Sequence, residues 1–319
     1  MKAMTAENSK LGFIGIGYMG RPIAQRLLES GFKVKAYDRD RSKAERLLPY
    51  GGKIAESVAE LSSSCDVILS CLASDEAVLS VYGGPDGAFA NAHRGSIVLD
   101  MSTVYPETSQ QLARLGSELG VNLLDVTISG STPAAEKGLL TLFGGGDQGC
   151  FDAAEAIFRV IARKYFFLGV SGSGATMKLV VNTLLGIGMQ AIAEAIALGE
   201  KAGLDRNRLL DVLSETAVIA PAHVGKLERA RKNDYSPQFP LRLMNKDFGL
   251  IFNLAAAVGA RMPATEAAFE VNARQLEQGN EEDFSAVILQ MEKRSHVLDT
   301  LGNLQTAFAS LESPVRNQI

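Results

Sequence analysis

The chain has no tryptophan and only three histidines and three cysteines in 319 residues. Cys65, Cys71 and Cys150 form an odd, scattered set without CxxC spacing. That argues against a disulfide framework and a structural zinc, and fits a reducing, cytoplasmic setting. His93, His223 and His296 share no ligand spacing, so they read as surface or capping residues and no metal is expected. An excess of charge is lacking too, since 32 Lys and Arg against 36 Asp and Glu leave a net charge of −4. With no basic surplus to condense on a phosphate backbone, no nucleic acid partner is expected. The longest uncharged apolar stretch, residues 179–193, is interrupted by Asn182, Thr183 and Gln190. It falls short of the ~20 residues a bilayer span needs, so no membrane partner is expected. Residues 1–10 are polar and lack the apolar core of a secretory signal.

Hydrophobic residues make up 46% and charged residues 21%, a globular balance that excludes a disordered or collagen-like chain. The length suits about two domains. Short apolar runs at 11–14, 33–37, 67–72, 97–101 and 122–126 read as strands, with further strands at 139–143 and 165–168. Helical spacing lies between them at 19–30, 42–48, 75–81 (with Ser74 as N-cap) and 107–119. Such alternation implies an α/β fold, a doubly wound parallel Rossmann sheet. After Gly169 the pattern becomes helical: a long apolar helix at 175–202, then helices at 206–214, 222–232, 241–258, 265–278 and 284–301. The expected organisation is a polar tail at 1–10, a dinucleotide-binding domain at 11–169 and an all-helical substrate and dimerisation domain at 170–319. Helix 175–202 is too uniformly apolar for a surface. Cover from a second subunit is therefore expected, giving a homodimer or higher homo-oligomer.

The first strand runs into Gly15-Ile16-Gly17-Tyr18-Met19-Gly20 and a helix follows, while Asp38 ends the second strand. In that context GxGxxG is a dinucleotide fingerprint, with the acidic residue ~20 positions on. Gly15 makes the tight turn, Gly17 admits a pyrophosphate to the backbone and Gly20 allows close helix–strand packing. The diphosphate then sits at a helix N-terminus. Asp38 is suited to accept hydrogen bonds from the adenosine ribose, which favours NAD(H). Arg39 and Arg41 either face a 2′-phosphate, allowing NADP(H), or form a solvated face.

Two loops lie at strand ends, where open α/β sheets bind ligands. Asp100-Met101-Ser102-Thr103 offers hydroxyls to a nicotinamide or substrate. Ser129-Gly130-Ser131 offers two hydroxyls and backbone N–H groups to a carboxylate. Lys178 and Asn182 are four apart and share a helix face. Burial would lower the Lys178 ammonium toward neutrality, as a proton donor requires; the competing reading is a helix-end lysine snorkelling to water. Lys246-Asp247 by itself reads as a surface pair.

Taken in order, these motifs resemble the β-hydroxyacid dehydrogenase family, the 3-hydroxyisobutyrate dehydrogenase-like reductases related to 6-phosphogluconate dehydrogenase. The resemblance runs from about Leu11 to about residue 300. It includes the glycine loop with its methionine, Asp100–Pro106, Asp125–Ser131, Gly172–Lys178 through Asn182, and Lys246-Asp247. It implies Lys178 as general acid/base, Asn182 orienting the substrate, and Ser129, Gly130 and Ser131 holding its carboxylate. It also implies Ser102 and Phe239 at the substrate, and Thr103 and Lys246 near the cofactor. Leu72 and Ala73 would flank the path from adenosine to nicotinamide. Thr127 and Ser131 depart from the usual proline and second glycine. Ser131, Ala135-Glu136, Gly138 and Phe239-Pro240-Leu241 look more like the glyoxylate and succinic semialdehyde reductase branch. Thr132 stands where that branch has a lysine.

The expected activity interconverts a small β-hydroxyacid and its semialdehyde with NAD(P), the partner being a small carboxylic-acid substrate. Oxidation of a hydroxy amino acid and imine reduction on the same scaffold are the alternatives, followed by a non-enzymatic nucleotide-binding module.

Overall fold

A computed structural model describes residues 4–277, 279 and 281–293. The chain begins β1 (Lys10–Ile14), α1 (Gly20–Glu29), β2 (Lys33–Tyr37), α2 (Arg41–Glu45), β3 (Lys53–Ile54), α3 (Val58–Ser64), β4 (Val67–Ser70). It continues α4 (Asp75–Tyr82), α5 (Ala88–Asn91), β5 (Ile97–Asp100), α6 (Pro106–Glu118), β6 (Asn122–Ser129), α7 (Thr132–Glu136), β7 (Leu140–Gly145). Then come α8 (Gln148–Ala153), α9 (Glu155–Ile161) and β8 (Ala162–Phe167). The helical half comprises α10 (Ser173–Lys201), α11 (Arg206–Ser214), α12 (Pro221–Arg231), α13 (Leu241–Val258) and α14 (Pro263–Glu277). The described residues pack as two compact units, one holding those up to Thr183 plus Lys246–Arg261, the other holding Leu184–Asn245 and the described residues from Met262 to 293. Both α10 and α13 pass from one unit to the other.

The first unit contains an eight-stranded sheet ordered β3-β2-β1-β4-β5-β6-β7-β8. Chain order reverses at β1, which pairs with β2 on one side and β4 on the other, so the crevice opens at the carboxyl ends of those strands. Alternate residues cover opposite faces. Leu11, Phe13, Val67, Leu69 and Leu99 pack on one side, and Ile14, Ile68, Val98 and Leu123 on the other. Ser74 caps α4 as expected, its hydroxyl accepting from the Ala77 N–H at 3.2 Å.

Several details correct the expectation of a wholly parallel sheet with the strands and helices assigned above. β7 runs antiparallel to β6, because the connection through the one-turn helix α7 is too short for a right-handed crossover. β4 and β5 end at Ser70 and Asp100, where side-chain hydrogen bonds take over from the apolar pattern. Strand β3 is only two residues long and has no pattern to detect. The expected helix 284–301 begins as a 3-10 turn, Phe284–Ala286; the part of that expectation past residue 293, like His296, lies outside the described residues.

In the second unit His223 is neither a surface nor a capping residue. It is buried on α12, its Nε2 lies 3.0 Å from the Leu185 carbonyl, and burial lowers its pKa. Gly188 makes room for the ring, since a Cβ there would lie 2.6 Å from the His223 Cε1. Buried Lys226 pairs with buried Asp283 at 2.7 Å and lies 5.2 Å over the Phe284 ring. Asp283 also accepts the Gln238 and Phe239 N–H groups at 3.0 Å, fixing the segment that leads into α13.

Candidate active site

The glycine loop follows β1 with Gly15 at φ +90°, and a Cβ there would overlap the Cys71 carbonyl. A Cβ on Gly20 would overlap the Gly15 carbonyl, so helix and loop meet backbone to backbone. A Cβ on Gly17 would meet nothing within 4 Å. That open space is what a diphosphate needs. No side chain caps α1 and no acid occupies its first turn, leaving the helix N-terminus available to an anion. Ile16 is buried, Tyr18 exposed and Met19 half-buried. Ile16 N–H donates to Asp38 Oδ2 at 2.8 Å, and Asp40 N–H donates to Asp38 Oδ1 at 2.9 Å. Asp38 thus ties the glycine loop to the end of β2, and each oxygen retains a lone pair for a ribose hydroxyl. Exposed Arg39 has no hydrogen-bond or ion-pair partner among the described residues. Arg41 is engaged by Glu45 at 2.9 Å and Glu56 at 2.5 Å. These residues fit a dinucleotide.

At the ends of β4 and β5 a buried polar chain replaces the apolar core. Tyr82 donates to Ser70 Oγ at 2.5 Å, Ser70 to Asp100 Oδ1 at 2.6 Å, and Ser102 to the same oxygen at 2.6 Å. Ser102 Oγ accepts the Leu72 N–H at 2.9 Å. Ser102 is therefore buried and engaged on both sides, whereas the hydroxyl of half-buried Thr103 has no partner among the described residues. Leu72 is half-buried beside Gly15 and Ala73 is exposed.

Helix α10 starts against the sheet, and its position is set by main chain. Buried Asp125 accepts the Gly172 N–H at 2.8 Å and the Ala175 N–H at 2.9 Å, a carboxylate at a helix N-terminus where the dipole favours it. Burial nonetheless pushes the Asp125 pKa up, against these hydrogen bonds. A Cβ on Gly174 would overlap the Phe143 carbonyl and lie 2.5 Å from the Asp125 carbonyl. Thr127 donates to the Gly174 carbonyl at 2.8 Å, which gives the departure from proline at this position a local function.

One turn further on, the half-buried Lys178 ammonium has no hydrogen-bond or ion-pair partner among the described residues. Burial brings its pKa down to about 8, with Asp247 raising it and Lys246 lowering it. Asn182 is 1% exposed. Its Nδ2 donates to Asp247 Oδ2 at 2.6 Å, and its Oδ1 is left buried without a partner. Because only an amide N–H₂ can donate to a carboxylate, the orphan is an acceptor. Lys246 Nζ lies 2.9 Å from Asp247 Oδ1 and donates to the Thr103 carbonyl at 2.6 Å. The four residues therefore form one cluster inside the first unit, with an unpaired ammonium and an unpaired acceptor. Cys71 feels both lysines, but burial and Asp100 hold its thiol up at about 12, so it stays protonated.

Ser129 is half-buried, and Gly130 (φ +141°) and Ser131 are exposed. Neither serine hydroxyl has a partner among the described residues. The Thr132 hydroxyl lies 3.5 Å from the Tyr18 carbonyl and 3.9 Å from Met19 Sδ, which sets this loop beside the glycine loop. Phe239 belongs to the second unit, where its ring meets Phe284 edge-on at 5.6 Å. Among the described residues no group of three or more His, Cys, Asp or Glu side chains is placed to hold a metal ion. Sequence reasoning passed over Asp100, Asp125 and Asp247 as site residues. The available signal was an aspartate closing or interrupting an otherwise apolar strand, and the Asp next to Lys246.

Residues 10–169 match the family described as the NAD binding domain of 6-phosphogluconate dehydrogenase. Residues 172–291 match the one described as NAD-binding of NADP-dependent 3-hydroxyisobutyrate dehydrogenase. Glyoxylate/succinic semialdehyde reductase 1 of Arabidopsis thaliana is 36% identical over 88% of this chain and 97% of its own length. 2-(Hydroxymethyl)glutarate dehydrogenase of Eubacterium barkeri is 31% identical over 90% of this chain and 96% of its own length. The crystal structure of 3-hydroxyisobutyrate dehydrogenase from Salmonella typhimurium superposes with a TM-score of 0.81 at 26% identity, covering 88% of this chain and 98% of that one. With both halves matched and nearly the full length of these relatives spanned, the chain belongs to the β-hydroxyacid dehydrogenase family of NAD(P)-dependent dehydrogenases and reductases acting on CH–OH groups.

Proposed function

We propose that the protein interconverts a small semialdehyde or 2-oxo acid and its hydroxyacid, within the glyoxylate, succinic semialdehyde, tartronate semialdehyde or 3-hydroxyisobutyrate class. The observation that carries this is the Lys178 ammonium, half-buried, unpaired and brought to about 8, beside the orphaned Asn182 Oδ1. Asp247 is its nearby counter-charge, yet among the described residues no acceptor lies within hydrogen-bond reach of the ammonium. The ammonium is set up to exchange a proton with a bound molecule. The relative from Arabidopsis thaliana named for glyoxylate and succinic semialdehyde supports the substrate class.

A bound nicotinamide cofactor supplies or takes the hydride. Gly15–Gly20, with Ile16, Tyr18 and Met19, would cradle its diphosphate, Asp38 and Arg39 its adenosine ribose, and Leu72, Ala73, Thr103 and Lys246 the path to the nicotinamide. Lys178 donates its proton to the substrate carbonyl oxygen during reduction and, when neutral, removes the hydroxyl proton during oxidation. Asn182 Oδ1, fixed by Asp247, accepts from the substrate hydroxyl or from Lys178 and so orients both. Ser129, Ser131 and the Gly130 backbone hold the carboxylate. Asp38 favours NAD(H), with NADP(H) use limited by the engagement of Arg41. The dinucleotide lies with residues 11–169, and a homodimer covers the exposed side of α10, where Val180, Leu184 and Leu198 share one face.

The test is NADH and NADPH oxidation, followed by absorbance, with glyoxylate, succinic semialdehyde, tartronate semialdehyde and methylmalonate semialdehyde. Turnover of one of these, lost in Lys178→Ala with NADH binding retained, is the expected result. Equal turnover by Lys178→Ala would refute the proposal.

A further inference from the structure

Asp100 is a buried carboxylate that the proton-transfer chemistry does not use. It closes β5, is 1% exposed, and receives three donors on a single oxygen: the Ser70 and Ser102 hydroxyls at 2.6 Å and the Ser102 N–H at 3.2 Å. The direction of the chain is determined. Tyr82 gives its proton to Ser70, so Ser70 gives its own to Asp100. Ser102 Oγ, accepting from the Leu72 N–H, likewise gives its proton to Asp100. Every hydroxyl in the chain donates toward this one carboxylate oxygen, which serves as their common acceptor. Burial pushes the Asp100 pKa up, opposed by these same donors.

The segments held in this way come from two different strands. Leu72 opens the loop after β4 and sits against the glycine loop, with its Cδ2 3.0 Å from where a Gly15 Cβ would lie. Ser102 opens the loop after β5, and the next carbonyl, that of Thr103, receives Lys246 at 2.6 Å. We propose that Asp100 is a positioning residue. Its carboxylate clasps the β4 and β5 loops together through Ser102, and through the Thr103 carbonyl it fixes where Lys246 stands. The proposal rests on the reading of this crevice as the nicotinamide side of the site. It assigns Ser102 to the clasp rather than to the substrate, and leaves the Thr103 hydroxyl as the free donor at the end of β5.

The experiment uses the full-length protein and three variants. NADH and NADPH binding is measured by fluorescence titration, alongside thermal unfolding and the split of kcat from KM. Asp100→Asn keeps the shape but puts an N–H₂ donor in place of one acceptor oxygen, and Ser102→Ala cuts the link to Leu72 directly. Each should weaken NADH binding about tenfold or more through a buried network left partly unsatisfied, with the loss appearing in the cofactor KM more than in kcat. Tyr82→Phe removes only the far end of the chain; it should lower the unfolding temperature and leave NADH binding within about twofold of the native protein. If Asp100→Asn does not fold, Ser102→Ala decides. Unchanged NADH binding in folded Ser102→Ala overturns the proposal, as does an equal loss of binding in Tyr82→Phe, which would mark a general loss of stability. Cofactor titration needs no turnover, so failure to find a substrate would count against the proposed activity and leave this test intact.

Discussion

Replacing Lys178 by methionine should remove the chemistry and strengthen the fold. Methionine keeps the length and packing of the lysine stem but carries no charge. The ammonium stands at about 8 against 10.5 for a free lysine, and each unit is worth about 1.4 kcal/mol. Burying the charged form thus costs up to about 3 kcal/mol, reduced because the side chain retains some contact with solvent. The sign follows from proton binding. Below about pH 8 both states carry the proton and the folded protein bears the full cost. Between about 8 and 10.5 the unfolded chain still holds the proton that the folded one has lost, so native stability rises with pH. Urea unfolding at pH 7 should therefore show Lys178→Met more stable by about 1–3 kcal/mol, with the gap closing toward pH 10. In the same variant turnover should fall by about 10²–10⁴-fold or more while NADH binding persists. In the native enzyme, reduction should decline above about pH 8 and oxidation rise through the same pH. A methionine variant less stable than the native protein at pH 7, or a gap independent of pH, would refute the assignment of a depressed ammonium.

Asp38→Asn should raise the NADPH-to-NADH ratio of kcat/KM by about tenfold, since one repelled phosphate oxygen is worth roughly 1.4 kcal/mol. Steady-state kinetics with both cofactors measures it, and loss of the Ile16 or Asp40 hydrogen bond should also lower the unfolding temperature. Gly174→Ala forces a methyl group into the Phe143 and Asp125 carbonyls; a loss of about 3 kcal/mol or more is expected in urea unfolding. Asp283→Ala leaves Lys226 buried without its counter-charge, which should cost about 3–5 kcal/mol by the same assay. Leu184→Asp with Leu198→Asp should convert a dimer to a monomer in light scattering, and a native protein that is already monomeric at micromolar concentration would remove the proposed interface.

The doubly wound core was legible because β1, β2, β4, β5 and β6 are short apolar runs between turn residues, and the glycine loop sits at the one place where its spacing has meaning. Lys178 and Asn182 were legible for a similar reason: a spacing of four on an apolar helix puts polar groups together whatever the tertiary structure. Partners far apart in sequence left no such trace. Asp100 meets Ser70, and Asp125 meets Gly172 and Ala175, yet each aspartate by itself reads as a strand ending in a loop. The antiparallel β7 depends on the length of its connection, which composition does not encode. His223 looked like a surface residue because nothing nearby in sequence announces the Leu185 carbonyl that it meets.

The backbone contact between Gly174 and the carbonyls of β6 and β7 has an evolutionary side. Because main chain, anchored by Asp125, seats the first turn of α10 on the sheet, the distance from the cofactor crevice to Lys178 does not depend on which side chains line the substrate. With Lys178 as the proposed proton donor, proton delivery would be insulated from specificity. The loop from Ser129 to Thr132 is, by contrast, half-buried to exposed, and its serine hydroxyls have no structural partner among the described residues. Under the proposed roles of this loop and of Lys178, a lineage could rewrite the loop, lose a cation there or gain a hydroxyl, and try new acids without disturbing the proton donor. Variation in substrate should therefore concentrate at residues 129–132, and directed evolution of this scaffold should begin there and leave Gly172, Gly174 and Asp125 untouched.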